Sequence, residues 1–345
     1  MDVHALADFE ALAQAALPPQ AFAYYSGGAW DEVTLAENVA AFRRRVLQPR
    51  ILVDVARLDT STTMLGERVS MPVGFAPAAL QGLAHGEGEV IPARVAGRAG
   101  LIYTLSTFSS RSIEMVAAVG RGTRWFQLYV QEDRRIAESL VRRAVAAGYR
   151  AIVLTADLPR PGIRDRERRL PLADPGPLGN VPEGAGEEFI DFIGGSMDAS
   201  LTWADLAWLR SLSELPLVVK GVLSPEDARL AVEHGAAAIV VSNHGGRQLD
   251  RAPATIDALE AVVAAVDGRA EVYLDGGVRR GTDVVTALAL GARAVFVGRP
   301  FLYALAAAGE AGVVRAVELL RDELGTAMAL LGCPTVADIT RDRVR

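Results

Sequence analysis

The chain has 345 residues, half of them hydrophobic and 23% charged, with 33 glycines and a formal net charge of −6. That is the composition of a globular α/β enzyme with a large core, and the acidic balance excludes the basic face that neutralising nucleic-acid phosphates demands. A single cysteine, Cys333, excludes an intramolecular disulfide. No uninterrupted apolar run reaches the roughly 18 residues of a membrane span, and without a basic-then-apolar leader a cytoplasmic protein is expected.

Residues 1–70 open on the helical pattern Leu6, Phe9, Leu12, Ala13 and Ala16, broken at Pro18-Pro19, and are expected to cap the bottom or side of the fold. From residue 71 onward short β-rich runs alternate with alanine-rich amphipathic stretches. The runs are Val73–Pro77, Ile102–Ser106, Trp125–Val130, Ala151–Asp157, Leu217–Gly221, Ala238–Asn243, Glu271–Asp275 and Ala294–Gly298. Eight runs are what a closed (β/α)8 TIM barrel requires, and their lack of polar alternation fits strands covered on both faces. A doubly wound sheet is the alternative. Ser224-Pro225-Glu226-Asp227 predicts a helix capped by serine with proline at its first position, ending near His234. Residues 165–200, rich in proline, glycine and charge, predict a lid loop after the fourth strand. The whole chain, 1–345, reads as one domain.

Lys220 is the only lysine among the 36 Lys plus Arg residues. It ends the apolar run Leu217-Val218-Val219, where a cation is costly unless something anionic or electron-rich lies above the strand. Reactive residues of an α/β barrel sit where strands end, so the polar groups at those ends are the candidates. They are Ser106, Gln127, Tyr129, Thr155, Asp157, Lys220 and Ser242, together with His244 and Arg247, and Asp275. Glycine-rich turns after the last two strands carry Gly276, Gly277 and Arg279, then Gly298 and Arg299. Backbone that can approach an anion, beside guanidinium forks, makes a phosphate cradle. No Walker A or G-x-G-x-x-G pattern is present. His244 and Arg247, separated by two glycines, pair a base that titrates near neutrality with a carboxylate clamp, and Asp157 can orient the imidazole. His85, His234 and His4 are expected to be structural or uninformative.

Ser242-Asn243-His244-Gly245-Gly246-Arg247-Gln248-Leu249-Asp250, Leu274-Asp275-Gly276-Gly277-Val278-Arg279-Arg280-Gly281 and Val297-Gly298-Arg299-Pro300 resemble the FMN-dependent 2-hydroxy acid oxidases and dehydrogenases. Tyr24-Tyr25-Ser26-Gly27-Gly28, Gln127-Leu128-Tyr129, Thr155-Ala156-Asp157 and Leu217-Val218-Val219-Lys220-Gly221 are similar to the same family, so the likeness covers nearly the whole chain. It implies FMN across the barrel mouth, its phosphate on Arg279, Gly298 and Arg299 and its ring against Pro77, Ala78 and Ala79. Ser106, Gln127 and Thr155 would hydrogen-bond the ring, with Lys220 on the side where negative charge gathers on reduction. Ser242, Gly245, Asp275, Gly276 and Gly277 complete the implied cofactor set. Tyr24, Tyr129, Arg164 and Arg247 would hold the substrate, with His244 as general base and Asp157 as its partner. Of the arginines from 164 to 169, only Arg164 is assigned a function.

Two departures from glycolate oxidase stand out: its tryptophan is Phe108 here, and its leucine is Pro161. The smaller residue is expected to widen the pocket for acids larger than glycolate, such as lactate, longer aliphatic acids or mandelate. The segment 165–200 is also shorter than its counterpart. The dehydrogenase branches add a haem domain or a membrane-binding segment, and this chain shows neither, so O2 is the expected acceptor, giving H2O2. A dehydrogenase with another acceptor and a non-redox flavin isomerase are the alternatives. The resemblance also implies a homotetramer.

Overall fold

The computed structural model describes residues 2–172, 174–180 and 196–345. Three helices come first, α1 Asp8–Ala16, α2 Pro19–Ser26 and α3 Val33–Arg43, followed by the strands β1 Thr62–Met64 and β2 Glu67–Val69. The eight expected strands follow as β3 Val73–Phe75, β4 Ile102–Leu105, β5 Arg124–Leu128, β6 Ala151–Thr155, β7 Leu217–Val222, β8 Ala238–Val241, β9 Glu271–Asp275 and β10 Ala294–Val297. Each pairs in parallel with its neighbours in chain order, and β10 returns to β3 through Val295↔Val73 and Phe296↔Gly74. The ring is therefore a closed (β/α)8 barrel.

Side chains alternate across each strand, and the buried residues divide accordingly. Phe126, Leu154, Val219, Ile239, Leu274 and Val295 pack outward against the helices. Ile102, Trp125, Val153, Val218, Val240, Tyr273 and Phe296 fill the interior. Trp125, Tyr273 and Phe296 lie with ring centroids 5.5 to 5.7 Å apart. A Cβ at residue 74 would fall 2.5 Å from the Phe296 ring, so glycine makes room for it.

The antiparallel β1–β2 hairpin closes the bottom. Met64 and Val69 join the interior cluster, and Leu65 N donates to Glu271, the first residue of β9, at 3.1 Å. Residues 1–70 do cap the bottom, as expected, but the capping element is this hairpin; α2 instead runs to the opposite end, where Tyr24 and Tyr25 line the mouth. The helix Pro225–Glu233 begins as predicted, with Ser224 accepting from Asp227 N at 3.0 Å. His234 ends it and stacks on Trp203. The helix Arg299–Leu331 is long and apolar enough to cross a bilayer, but most of its apolar window is buried and it packs on α1. It breaks at Ala308 and Gly309, against which the His85 ring lies. The expected lid segment begins with a short helix, Asp165–Arg169; residues 181–195 lie outside the described residues.

The interior aromatics cannot be replaced without leaving a void. Trp125→Ala is expected to lower the unfolding free energy by about 3–5 kcal/mol in urea titration.

Candidate active site

On the inward face of five of the eight strands, β5 to β9, a polar residue stands two positions beyond an apolar one. Trp125 leads to Gln127, Val153 to Thr155, Val218 to Lys220, Val240 to Ser242 and Tyr273 to Asp275. All of these polar residues except Ser242 form the floor of a cavity in the barrel mouth. Its walls include Tyr24, Tyr25, Pro77, Ala78, Ala79, Phe108, Tyr129, Leu158, Arg164, His244, Arg247, Arg279, Gly298 and Arg299.

Lys220 is 5% exposed. Its Nζ donates to Ser242 Oγ at 2.9 Å and lies 3.4 Å from Asp275 Oδ2, while Ser242 Oγ donates to Asp275 Oδ1 at 2.7 Å. A carboxylate thus answers the charge that looked costly in sequence. Ser242 does not line the cavity. It is fully buried and acts as a strut, also accepting from His244 N at 3.1 Å.

His244 Nδ1 lies 2.9 Å from Asp157 Oδ1, and Nε2 lies 3.3 Å from the Tyr129 hydroxyl. An ionised Asp157 accepts from Nδ1–H, which leaves Nε2 as the free base facing the cavity. Burial raises the Asp157 carboxyl, but the His244 and Lys220 charges and the hydrogen bond from His244 outweigh it, so it lies below the ordinary range. Burial holds the imidazole below its usual value against the opposing pull of Asp157, so the resting form is neutral. Tyr129 is pushed above its usual value, first by burial and then by Asp157, and keeps its proton.

Arg247 Nη1 donates to the carbonyls of Tyr24 and Gly27 at 2.7 and 2.9 Å, and its guanidinium lies 5.1 Å from the Tyr24 ring centroid. Arg164 stands beside it, with Nε donating to Arg247 O at 3.3 Å. Phe108 stacks on Tyr129 at 5.2 Å.

At the other end of the cavity, Arg299 donates to the carbonyls of Tyr25, Gly245 and Gly27 at 2.8 to 3.0 Å. Burial, reinforced by the Arg247 charge, pushes its guanidinium down to about 9. Burial also holds Arg279 below the usual range. Neither has a salt-bridged carboxylate among the described residues, so this end of the site calls for an anion. Glycine is required to build it. Gly245 has φ +62, and a Cβ there would lie 2.8 Å from Arg299 Nη1; a Cβ on Gly277, at φ +86, would lie 1.9 Å from Asn38 O.

Among the described residues, two buried polar atoms of the cavity, Gln127 Nε2 and Thr155 Oγ1, have no partner, and Ser106 Oγ donates to Gln127 Oε1 at 3.2 Å. Polar edge groups beside a buried ammonium, with a phosphate cradle at the far end, fit the ring and tail of FMN. Of the residues assigned from the sequence, all but Asp157 and Ser242 line this cavity, and Asp157 acts through His244. Pro161 does not line it; the apolar wall beside Tyr129 and Phe108 is Leu158. The structure adds Glu167, whose carboxylate accepts from both Arg164 and Arg247, and the reciprocal Asn38–Asn243 amide pair that ties α3 to the loop after β8.

Comparison with known proteins agrees with this geometry. A family model described as FMN-dependent dehydrogenase matches residues 13–345. Glycolate oxidase of Spinacia oleracea is 49% identical over 354 residues, covering 100% of this chain and 96% of its own. Glycolate oxidase 5 of Oryza sativa subsp. japonica is 50% identical over 347 residues, covering 98% and 94%. The crystal structure of a mandelate oxidase with (S)-4-hydroxymandelic acid shares 43% identity and superposes with a TM-score of 0.95, covering 99% of this chain and 98% of that one. From a cavity built for FMN to the match along almost its full length, the chain belongs to the FMN-dependent dehydrogenase family.

Proposed function

We propose that this enzyme oxidises L-2-hydroxy acids to 2-oxo acids with O2 as acceptor, releasing H2O2. The observation that carries this is an Asp157-oriented His244 facing the same cavity as the Arg164 and Arg247 guanidiniums. A substrate carboxylate on the guanidiniums brings its hydroxyl and α-hydrogen toward Nε2 and the Tyr129 hydroxyl. His244 accepts a proton as the carbonyl forms, and Asp157 stabilises the resulting imidazolium. Arg279, Arg299 and the glycine turns would hold the phosphate of FMN, and Gln127, Thr155 and Lys220 would meet its ring; bound there, it would supply the redox chemistry, accepting the two electrons and the remaining hydrogen and passing them to O2.

The substrate side chain faces Phe108 and Leu158, both buried and apolar. This wall, together with the likeness to mandelate oxidase, supports acids bulkier than glycolate, including lactate and mandelate, as substrates. Family likeness supports a homotetramer, and the single cysteine is in keeping with a cytoplasmic enzyme.

Anaerobic mixing with a panel of L- and D-2-hydroxy acids tests the activity. Loss of the flavin absorbance with L-acids, restored by air with stoichiometric peroxide, is expected; a flavin that no acid bleaches would refute the assignment. Because only neutral His244 can accept the proton, kcat/KM should fall with decreasing pH through a pKa below 6.5. Asp157→Asn removes the principal influence raising that pKa, so the acid limb should move lower still while kcat drops about 10²-fold or more. Phe108→Trp should lower the efficiency with mandelate relative to glycolate about tenfold, read from kcat/KM for each.

A further inference from the structure

We propose that Glu167 is a positioning residue that sets the charge of the carboxylate clamp and so tunes the site toward singly charged acids. This rests on the 2-hydroxy acid reading of the cavity. Glu167 is 3% exposed. Its Oε1 and Oε2 lie 3.3 and 3.2 Å from Arg164 Nη1, and Oε1 accepts from Arg247 Nη2 at 3.1 Å. It accepts no other hydrogen bond among the described residues.

Two guanidiniums placed side by side repel one another, and the shared carboxylate between them offsets that repulsion and fixes their spacing. It leaves the clamp with one net positive charge, two cations against one anion, which matches one substrate carboxylate. Arg164 Nη2 and Arg247 Nε keep no acceptor among the described residues and are the donors available to it.

The carboxylate is held in place from outside the barrel. It belongs to the short helix Asp165–Arg169, where Arg166 pairs with Glu32 at 2.5 Å, and Ile163 O just before it accepts from Trp30 N at 2.8 Å. The N-terminal extension thus sets where the clamp's counter-charge stands.

Oxalate and oxamate share size and shape and differ by one charge, so they read the clamp directly. Their dissociation constants are measured by calorimetric titration of the holoenzyme, without turnover. Glu167→Gln and Glu167→Ala should each shift the binding ratio toward the dianion by about tenfold or more. Glu167→Asp should keep the wild-type ratio within about threefold while raising KM for 2-hydroxy acids, because the charge remains and the reach shortens. A ratio unchanged in the neutral variants would overturn the proposal, as would neutral variants that fail to fold while Glu167→Asp folds, since Glu167 would then serve the fold alone. A wild-type enzyme that binds both anions yet oxidises no 2-hydroxy acid would refute the function assigned above, whereas the binding ratio tests Glu167 independently.

Discussion

A side chain that points into a closed barrel is followed, two residues later, by another that points the same way, and the active site is built on that repetition. The lower inward layer is apolar and close-packed around Trp125, Tyr273 and Phe296. The next layer carries Gln127, Thr155, Lys220, Ser242 and Asp275. The packing that stabilises the fold is thus the platform that fixes the polar groups, and a shift of one residue in any strand would move its functional side chain to the wrong face. Rigid placement of this kind lets hydrogen-bond donors and charges act without reorganising during reaction.

Above the platform the governing quantity is charge. Lys220, Arg164, Arg247, Arg279 and Arg299 converge on one cavity, against Asp275, Asp157 and Glu167. Backbone carbonyls from α2 and its C-terminal end carry much of the remaining load, accepting from Arg247 and Arg299. The excess of cations lies at the two ends of the cavity, where a phosphate and a substrate carboxylate belong. His244, between those ends, stays neutral because burial and the surrounding cations together outweigh Asp157.

Much of this was legible in the sequence. The eight runs, each bounded by turn residues, correspond to the eight strands, and the polar residues at their ends are those that meet in the mouth. Lys220 was conspicuous because composition isolates it, and His244 and Arg247 because two glycines separate them. What could not be read were partnerships between segments distant in the chain. Nothing local distinguishes Glu167 from its charged neighbours; its meaning lies in Arg247, 80 residues away. The Asn38–Asn243 pair spans 205 residues. The hairpin at residues 62–69 was missed because three-residue strands carry too short a period to register. Pro161 drew notice only through the resemblance to glycolate oxidase; in the turn after β6 it is Leu158 that lines the cavity.

The N-terminal extension has a significance that its place outside the barrel conceals. Carbonyls of Tyr24, Tyr25 and Gly27 hold Arg247 and Arg299, the Tyr24 ring lies beside Arg247, and Glu32 and Trp30 anchor the segment bearing Glu167. All eight barrel strands begin after these residues. The barrel strands alone therefore lack part of what makes the mouth selective, because residues ahead of them hold its arginines. Substitutions at Trp30 or Glu32, which anchor the segment bearing Glu167, could thus change selectivity while every barrel strand stays the same.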